Sequence, residues 1–402
     1  MHRRQIGSAV GTITAGTLLL AGCGGGGSPA TSSGIINIGA ICNLTGALAT
    51  FGAGCKDGMN LAVNQINGSG GFKVGNTVYK YNDTIVDGQS NPTDAVAAAN
   101  GLIHDQNIKF LFGPDTSPTA LQINALIKGG DVIEFTAGAA PQAILGTPGY
   151  ELLFGVVLQN QTWTSAVVPM TKALNIKSGG KIAIAYTDDA VGTAVVPLFE
   201  AALKGAGFTT DTYKFPSSTT DFHALMTRIK GTNPDCILAG YQVPAELPMA
   251  RAILDLNAAP CLMDVTASPT DIPLKIAAET GKPFPIPWGG LHSQPSVDAA
   301  TTPGMAKYKA FFVKQTGEDP TTAQATYTTW FYDFPGVLAK AMQEAGTVTD
   351  TKAIAQKIAT IQYNDGALAN LRFNSKHIAL YSMDNCTVIN GQTTWSSVNP
   401  SN

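Results

Sequence analysis

Predicted strands and helices alternate along most of this 402-residue chain. The series begins with an apolar strand at Ile35–Cys42 and a helix at Gly52–Asn67, in which apolar residues recur at helical spacing. Strands separated by helices of about 10–15 residues are typical of a mostly parallel sheet with helices on both faces, so the sequence predicts an α/β fold. Further strands are predicted at Thr77–Val86, Ile108–Phe112, Asp131–Phe135, Lys181–Tyr186, Phe208–Phe215, Cys236–Ala239 and Cys261–Asp264, and further helices at Thr93–Asp105, Thr119–Lys128, Trp163–Leu174, Ala194–Ala206, Phe222–Lys230 and Pro244–Leu256.

The alternation falls into two runs, one on either side of about Gly155–Gln161. Helices then dominate Thr302–Ala359, and strand-like alternation returns at Leu371–Ile389. The chain is too long for a single hydrophobic core, so we predict two similar lobes that face each other across a cleft. Ligands of such sheets bind beyond the carboxyl ends of the strands, and we expect a binding site in the loops at those ends.

The first 34 residues differ from the rest of the chain. Met1–Arg4 is basic, a short apolar stretch follows from Ile6, and Leu20–Cys23 leads into four glycines. This arrangement is typical of a signal peptide, which we predict at residues 1–22. The Leu-Ala-Gly-Cys ending resembles a bacterial lipobox, which implies a lipid on the sulfur of Cys23 and a flexible tether at residues 23–34. An ordinary secretory signal with a chance cysteine is the alternative.

The charge of the chain gives no support for nucleic-acid binding. Charged residues make up 13% of it and the formal net charge is −3, whereas nucleic-acid-binding surfaces are basic. No stretch after Cys23 approaches 18 consecutive apolar residues, so we predict no further membrane span. The expected protein is therefore an extracytoplasmic body that a lipid attaches to the membrane.

Five cysteines remain after Cys23, and disulfides form readily outside the cytoplasm. Cys42 and Cys55 form the most local pair, and Cys236 and Cys261 occupy similar places in two successive predicted strands. Either pair can form a disulfide, or its members can be buried thiols. The odd number leaves at least one thiol unpaired, and Cys386 is the fifth cysteine.

Motifs of common enzymes are missing from Ile35 onward. Gly-x-Ser-x-Gly, Gly-x-Gly-x-x-Gly and the P-loop pattern do not occur there. The histidines of this part have no spacing typical of metal ligands, and they are His104, His223, His292 and His377. Asp188 and Asp189 precede a helix, and we interpret them as a helix cap. We therefore predict no metal, no cofactor and no catalytic residue, and a protein that is not an enzyme.

Small and hydroxyl-bearing residues follow two neighbouring predicted strands. Phe112–Ser117 leaves one strand and enters a helix, and Phe135–Pro141 leaves the next strand. The N–H groups of a helix N-terminus together with Ser and Thr hydroxyls can bind an anion such as a carboxylate. Tyr241 follows a strand of the second run and offers a ring face and a hydroxyl. Ordinary caps and turns are the alternative interpretation.

Motifs along Ile35–Ile389 resemble those of the branched-chain amino acid (leucine/isoleucine/valine)-binding group of type I periplasmic substrate-binding proteins. The resemblance depends on the order and spacing of the motifs rather than on any one of them. It is carried by Ile38–Ala40, Leu44–Gly46, Gly52, Gly58–Asn67, Asp87–Pro92, Ala95, Phe112–Pro114, Thr116, Ser117, Gly317, Asp319, Pro320, Tyr332, Asp333, Ala345 and Gly346.

The resemblance implies two Rossmann-like lobes that are joined by three crossovers and close on a ligand by hinge motion. In this scheme residues 35–157 and 291–368 form the N-terminal lobe, and residues 158–290 and 369–402 form the C-terminal lobe. It also implies the membrane subunits of an ABC importer as the partner. We expect a monomer, because a closing cleft needs freedom to move.

The resemblance assigns one half of the site to the carboxylate of a small ligand. The family's carboxylate-binding serine falls on Ser117, and its threonine after the following strand falls on Ala140, where the hydroxyl is lost unless Thr136 replaces it. The residues that we expect to hold the carboxylate are Thr116, Ser117, Gly138 and Ala139.

The other half of the site departs from the family pattern. Tyr241 and Tyr327 match family tyrosines and would contact the body of the ligand, whereas Val191 stands where the family has a further tyrosine. The acidic residue that holds the ligand's ammonium would be Asp264, although direct alignment gives Thr266. A buried ammonium needs a carboxylate or several acceptors, so we expect the anion half to be better retained than the cation half.

We therefore predict a lipoprotein that captures an amino acid, or a related carboxylate or amide without the α-ammonium, for an importer. A module that reports the ligand to a receptor is one alternative, and an extracytoplasmic hydrolase with an unusual site is another. The proline-rich segment Pro283–Ser296 is predicted as a loop between the lobes. Its Trp288 or His292 either contacts the ligand or belongs to a crossover.

Overall fold

The computed structural model describes residues 32–138, 143–157, 161–240, 243–265, 271–292, 303–317 and 323–398. Within these residues no helix has the length and apolarity needed to cross a bilayer. The predicted signal peptide and Cys23 lie outside them, as do Ala139, Tyr241 and Thr266. The first strand begins at Ser32, so it includes the last three residues of the predicted tether.

The first large sheet has six strands in the order β2-β3-β1-β4-β5-β6. All neighbours pair in parallel except β2 and β3. The strands are β1 (Ser32–Cys42), β2 (Phe72–Val74), β3 (Thr77–Asp87), β4 (Phe110–Phe112), β5 (Ile133–Thr136) and β6 (Leu153–Gly155), and the helices between them are α1 (Ala49–Gly68), α2 (Pro92–Asn100), which continues as a π-helix at Gly101–Asp105, and α3 (Ser117–Ile127).

Helices cover both faces of this sheet, because side chains of a strand point alternately to opposite faces. Phe110 and Phe112 of β4 pack in the same apolar cluster as Met59 of α1. Leu111, between them, packs in the cluster that contains Ile123 of α3. The alternation of one buried strand thus places α1 on one face and α3 on the other.

The second large sheet has seven strands, and a small third sheet has three. The strands are β7 (Lys181–Thr187), β8 (Thr209–Phe215), β9 (Cys236–Gly240), β10 (Leu262–Asp264), β11 (Trp288–His292), β12 (Gln362–Tyr363), β13 (Leu371–Phe373), β14 (Ala379–Leu380), β15 (Met383–Ile389) and β16 (Gln392–Val398). The second sheet has the order β16-β15-β11-β10-β9-β7-β8, and the third has the order β12-β13-β14. In the second sheet β8, β7, β9, β10 and β11 run parallel, and β15 and β16 pair antiparallel.

The helices of this part belong to two groups. One helix precedes β7, three helices lie between the strands of the second sheet up to β10, and a fifth precedes β11. They are α4 (Gln161–Ala173), α5 (Ala190–Gly205), α6 (His223–Lys230), α7 (Val243–Leu256) and α8 (Asp271–Thr280), and the later helices are α9 (Pro303–Thr316), α10 (Ala323–Tyr332), α11 (Phe334–Ala345) and α12 (Thr351–Ile358). Helices α9, α10 and α11 contact α1 of the first sheet. The chain therefore passes between the two large sheets three times, after β6, after β11 and before β15.

Two glycines let α1 and α10 approach closely. A Cβ at Gly54 would lie 2.6 Å from the Cβ of Tyr327, and a Cβ at Gly58 would lie 2.7 Å from the Cβ of Phe331. Both distances are shorter than real side chains allow, so only glycine fits. Through this contact the later helices pack against α1, which covers one face of the first sheet.

The predicted α/β fold with mostly parallel sheets is confirmed, but the structure predicted for one segment was wrong. Pro283–Ser296 was predicted as a loop, whereas Trp288–His292 forms β11 between β10 and β15. Trp288 is therefore part of a strand and not of a loop, and it is fully buried in an apolar cluster of the second sheet. The strand was missed because two glycines and flanking prolines resemble a turn region, while its burial comes from neighbouring strands.

Both predicted cysteine pairs are disulfides in the structure. Cys42 at the end of β1 is bonded to Cys55 of α1, and Cys236 at the start of β9 is bonded to Cys261 just before β10. Cys386 on β15 belongs to neither disulfide. One disulfide is therefore at the carboxyl end of its strand, and the other joins the amino ends of two strands.

Candidate functional site

The carboxyl ends of β1 and β4 lie side by side in the first sheet. From β1 the chain leads to β3 on one side of the sheet and then to β4 on the other side. The gap between β1 and β4 is therefore the point at which the strand order reverses, where ligands of open α/β sheets bind. In the second sheet the same reversal separates β7 from β9.

Helix α3 begins directly at this point of the first sheet. Thr116 precedes the helix in an extended conformation, and a proline in the first turn favours the helix start. Thr116 is 5% exposed and Ser117 is 3% exposed. The Thr116 side chain does not cap the helix, since its hydroxyl accepts a hydrogen bond from Asn43 Nδ2 at 3.1 Å. The helix N-terminus keeps its positive dipole end at the strand ends.

The loop after β5 packs directly on the start of α3. A Cβ at Gly138 would lie 3.1 Å from the Cα of Ser117 and 3.2 Å from the carbonyl oxygen of Thr116. Only a residue without a side chain fits this approach comfortably. The structure thus brings together Thr116, Ser117 and Gly138, which the sequence analysis assigns to one site.

Two buried hydroxyls at strand ends form no hydrogen bond within the part of the chain that the structure describes. Thr136 ends β5 and Thr187 ends β7, and both side chains are almost completely buried. Neither hydroxyl has a hydrogen-bond partner among the described residues. Buried polar groups are nearly always hydrogen-bonded, so such an orphan hydroxyl indicates a place where water or a ligand supplies the missing hydrogen bond. Thr136 was a predicted site residue, whereas Thr187 was not.

Asn43 and Asp115 join the ends of β1 and β4, and the sequence analysis did not identify either as a site residue. The backbone N–H of Asn43 donates to Asp115 Oδ2 at 2.9 Å, and Asn43 Nδ2 donates to Asp115 Oδ1 at 2.5 Å. Asn43 Oδ1 accepts from the N–H of Ser90 at 2.9 Å. One amide side chain therefore connects three loops at the predicted ligand-binding edge.

Asp115 is buried and has no ion pair among the described residues, and its burial changes its titration. Burial raises the pKa of its carboxyl to about 7, although hydrogen bonds from Asn43 lower it in part and the nearby Asp87 carboxylate raises it. In the sequence Asp115 is only an acidic residue in a turn, and such residues are common on protein surfaces, so the sequence gives no sign that it is buried. Its burial depends on a contact 72 residues away along the chain.

Asp87 fixes the loop after β1 from the other side. Its carboxylate accepts from the N–H groups of Leu44 at 2.8 Å and Gln89 at 2.7 Å, and from the Thr45 hydroxyl at 2.7 Å. Burial acts to raise the pKa of Asp87, but these hydrogen bonds outweigh it and lower the pKa below its ordinary value. The loop between β1 and α1 is thereby tied to the loop after β3.

The corresponding edge of the second sheet includes a helix cap and a buried carboxyl in the part of the chain that the structure describes. Asp189 accepts from the N–H of Gly192 at 2.9 Å and caps α5, as predicted from the sequence. Asp264 is buried at the end of β10, beside β9 and β11. Helix α5 contacts α3, so the helix that follows β7 in the second sheet meets the helix that follows β4 in the first.

Tyr327 lies in the buried apolar cluster that also contains Met59 of α1, rather than on an open surface. Its ring packs on Phe51 with centroids 4.5 Å apart and on Trp330 at 5.1 Å, and its side chain is fully buried. Phe51, in the first turns of α1, is only partly buried. Any contact of Tyr327 with a ligand thus remains a prediction. Val191 lies in the first turn of α5, because this helix begins at Ala190 rather than at the predicted Ala194.

The fold and the strand-end loops define a two-lobed α/β binding protein. A model of the periplasmic binding protein family matches residues 35–390. The chain belongs to the periplasmic binding protein family, whose members are extracytoplasmic solute-binding proteins and not enzymes.

Known relatives are similar in sequence or in structure. The Leu/Ile/Val-binding protein homolog 3 of Brucella melitensis is 29% identical over 222 residues, which is 55% of this chain and 58% of that protein. The leucine-binding protein LivK from Thermotoga maritima has a TM-score of 0.76 at 20% identity, over 91% of this chain and 99% of the other. A solute-binding protein from R. palustris in complex with 4-hydroxybenzoate has a TM-score of 0.74 at 20% identity, over 91% and 96%. The alignment thus spans little more than half of the first relative, and the two structures support the fold.

Proposed function

We propose that this protein captures a small carboxylate ligand, either an amino acid or an organic acid, by closing two lobes on it. The observation that carries the proposal is the pair of orphan hydroxyls, Thr136 and Thr187, at the strand-order reversals of the two sheets. A ligand held between the sheets would complete the hydrogen bonding of both. The contact between α3 and α5 supports closure of the lobes over such a ligand.

The carboxylate of the ligand would lie at the N-terminus of α3. Thr116 and Ser117 supply hydroxyls there, and Gly138 leaves space beside them for a close approach of the backbone. Helix N-termini bind anions through N–H groups and the helix dipole. Thr136, Ala139, Tyr241 and Tyr327 would complete the pocket, with Asp264 or Thr266 at the end that meets an ammonium.

The similar proteins support two ligand classes. A relative is named for leucine, isoleucine and valine, and a similar structure contains 4-hydroxybenzoate. Both classes carry a carboxylate, and they differ in the ammonium. The two classes therefore share the carboxylate, and a binding experiment must show whether the ligand also needs an ammonium.

A thermal-shift experiment tests this function on protein purified from cells that express the full-length chain. The ligands are L-leucine, 4-methylpentanoate, which lacks its amino group, isopentylamine, which lacks its carboxylate, and 4-hydroxybenzoate. A ligand at 100 times its Kd adds about 2.7 kcal/mol of stability, which is several degrees. We expect stabilisation by at least one acid and none by the amine.

Two variants provide the matched control. Ser117→Ala removes a hydroxyl at the first residue of α3, and Thr351→Ala removes one at the first residue of α12. Ser117→Ala should reduce the ligand-induced shift, and Thr351→Ala should leave it unchanged. Stabilisation by the amine alone, or equal shifts in both variants, would contradict the carboxylate site.

We further propose that the protein is a lipoprotein that delivers its ligand to an ABC importer. Cys23→Ala should move the protein from the membrane fraction to the soluble fraction of the expressing cells. Loss of the gene should abolish uptake of the radiolabelled ligand that the thermal-shift experiment identifies. Normal uptake without the protein would favour a sensing role instead.

A further inference from the structure

Asp115 is a buried carboxyl directly beside the proposed anion site. It is 3% exposed and precedes Thr116 at the start of α3. Both of its oxygens accept hydrogen bonds from Asn43, and the same Nδ2 that bonds Asp115 also bonds the Thr116 hydroxyl. A single amide therefore connects this carboxyl to a hydroxyl that we assign to the ligand carboxylate.

The surroundings of Asp115 do not neutralise a negative charge. No salt bridge among the described residues involves Asp115. The loop after β1 contributes the neutral Asn43, the loop after β3 contributes the Asp87 carboxylate, and α3 contains no charged residue. Glu134 on β5 accepts from Asn124 of α3 at 2.6 Å and is itself a buried acid.

We propose that Asp115 takes up a proton when a carboxylate ligand binds at the N-terminus of α3, so that ligand capture weakens as the pH rises. The proposal rests on the proposed function, because it needs an anion beside Thr116 and Ser117. Two carboxylates at close range in a buried site do not both ionise at low cost, so one keeps a proton. The ligand carboxylate is stabilised by the helix N-terminus, and Asp115 is the one that is protonated.

The direction of the pH effect follows from the free protein. Burial raises the pKa of Asp115 to about 7, so without ligand it is neutral well below that pH and charged well above it. An anionic ligand raises this pKa further. At low pH binding therefore takes up no proton, whereas above about pH 7 each binding event takes up a proton and the affinity falls by up to about tenfold per pH unit.

Isothermal titration calorimetry on the purified full-length protein tests this proton uptake. The probes are L-leucine and 4-hydroxybenzoate, between about pH 5.5 and about pH 8.5, in phosphate and in Tris. These buffers release a proton with different heats, so the difference in binding enthalpy counts the protons taken up. We expect none at the lowest pH, close to one per ligand at the highest pH, and an affinity that falls above about pH 7.

Two carboxyls that titrate alike provide the matched variants. Asp333 is also buried, and burial raises its pKa to about 7, but it accepts from the N–H groups of Ala367 and Leu368 at 2.7 Å each and follows α10. Asp115→Asn should abolish proton uptake and flatten the affinity profile. Asp333→Asn should keep both as they are in the parent, even though it also removes a buried acid.

The outcomes separate this proposal from the proposed function. Binding without proton uptake in the parent overturns the role of Asp115 and leaves carboxylate capture standing. Asp115→Asn protein with the parent's pH profile also overturns it. If neither probe binds at any pH, the carboxylate site and this proposal both fail. If Asp115→Asn does not fold, the two-buffer measurement on the parent still decides.

Discussion

The two large sheets differ in what stabilises the loops at the carboxyl ends of their strands. These loops form the first edge in the first sheet and the second edge in the second sheet. At the first edge, Asn43 and Asp115 connect loops that are 72 residues apart, and the Cys42–Cys55 disulfide fixes the end of β1. At the second edge, Asp189 caps its own helix, whereas the Cys236–Cys261 disulfide lies at the opposite end of that sheet, where it joins the amino ends of β9 and β10. The first edge is therefore held in one geometry before a ligand arrives, whereas the described part of the second is held mainly by its own elements.

The difference suggests a division of roles between the lobes. Preorganised polar groups bind a ligand without the entropic cost of ordering them. The first lobe would therefore provide the initial contact with the carboxylate, and the second lobe would close afterwards. Four predictions test whether the difference between the two edges has this consequence.

Removal of the disulfides should have the largest effect. The double variants Cys42→Ala/Cys55→Ala and Cys236→Ala/Cys261→Ala open loops with separations of 13 and 25 residues, and the stabilisation by a disulfide changes only slowly with loop length. Each should lower the free energy of unfolding by about 3 kcal/mol in urea denaturation. Only the first should also weaken binding of the carboxylate probe, because Asn43 follows Cys42. Equal losses of affinity would contradict the proposed difference.

Asn43→Ala should cost more than a comparable asparagine in the second sheet. It removes the Nδ2 donor to Asp115 Oδ1 and the acceptor of the Ser90 N–H, while the backbone N–H at position 43 still donates to Asp115 Oδ2, and we expect a loss of about 2–3 kcal/mol. Asn385 of β15 donates one hydrogen bond to the carbonyl of Ala166 at 3.0 Å, so Asn385→Ala should cost about 1 kcal/mol. Urea denaturation measures both. A larger loss for Asn385→Ala would reverse the comparison.

Asp87→Ala should destabilise the first edge in a pH-dependent way. The folded state lowers the pKa of Asp87, so it binds this proton more weakly than the unfolded chain. The stabilisation is present above the ordinary Asp pKa of about 3.9 and disappears as the pH falls through the lower folded-state pKa. We expect a loss of about 1–2 kcal/mol at neutral pH and a smaller one in acid. A loss that is independent of pH would rule out this explanation.

Asp189→Ala should have the smallest effect of the four. It removes the cap of α5 and should cost about 1 kcal/mol, as Asp350→Ala should at α12, whose N-terminus Asp350 caps at 3.0 Å. Thermal denaturation compares the two variants. Because the cap is local, we expect no greater loss of ligand affinity for Asp189→Ala than its stability loss explains. A large, selective loss of affinity would mean that the second edge is also built for the ligand.

Most long elements with regular patterns were predictable from sequence, whereas some short elements were not. The strand predicted at Thr77–Val86 differs from the observed β3 by one residue, and the helix predicted at Gly52–Asn67 lies within α1. The three-residue strands β2 and β6 and the helix α8 were not predicted. A pattern of three residues carries no periodicity, and neighbouring strands rather than local sequence determine such segments.

The candidate site was predictable in part for the same reason. Thr116, Ser117 and Gly138 were identified because each follows a strand and lies at or near a helix start, which local sequence reveals. Asn43, Asp115 and Thr187 were missed because their significance depends on burial and on partners far along the chain. Tyr327 was identified by resemblance, and the structure adds that its ring lies in the core.

The sequence by itself determined the alternating α/β pattern, two lobes, two candidate disulfides and a candidate anion-binding turn at the start of α3. These follow from periodicity, composition and the chemistry of adjacent residues. Only the tertiary structure decided that β11 lies inside the second sheet and that Asn43 meets Asp115. Parallel strands bring their carboxyl ends together across long stretches of sequence, so the environment of a buried charge is fixed by strand order rather than by its neighbours in the chain.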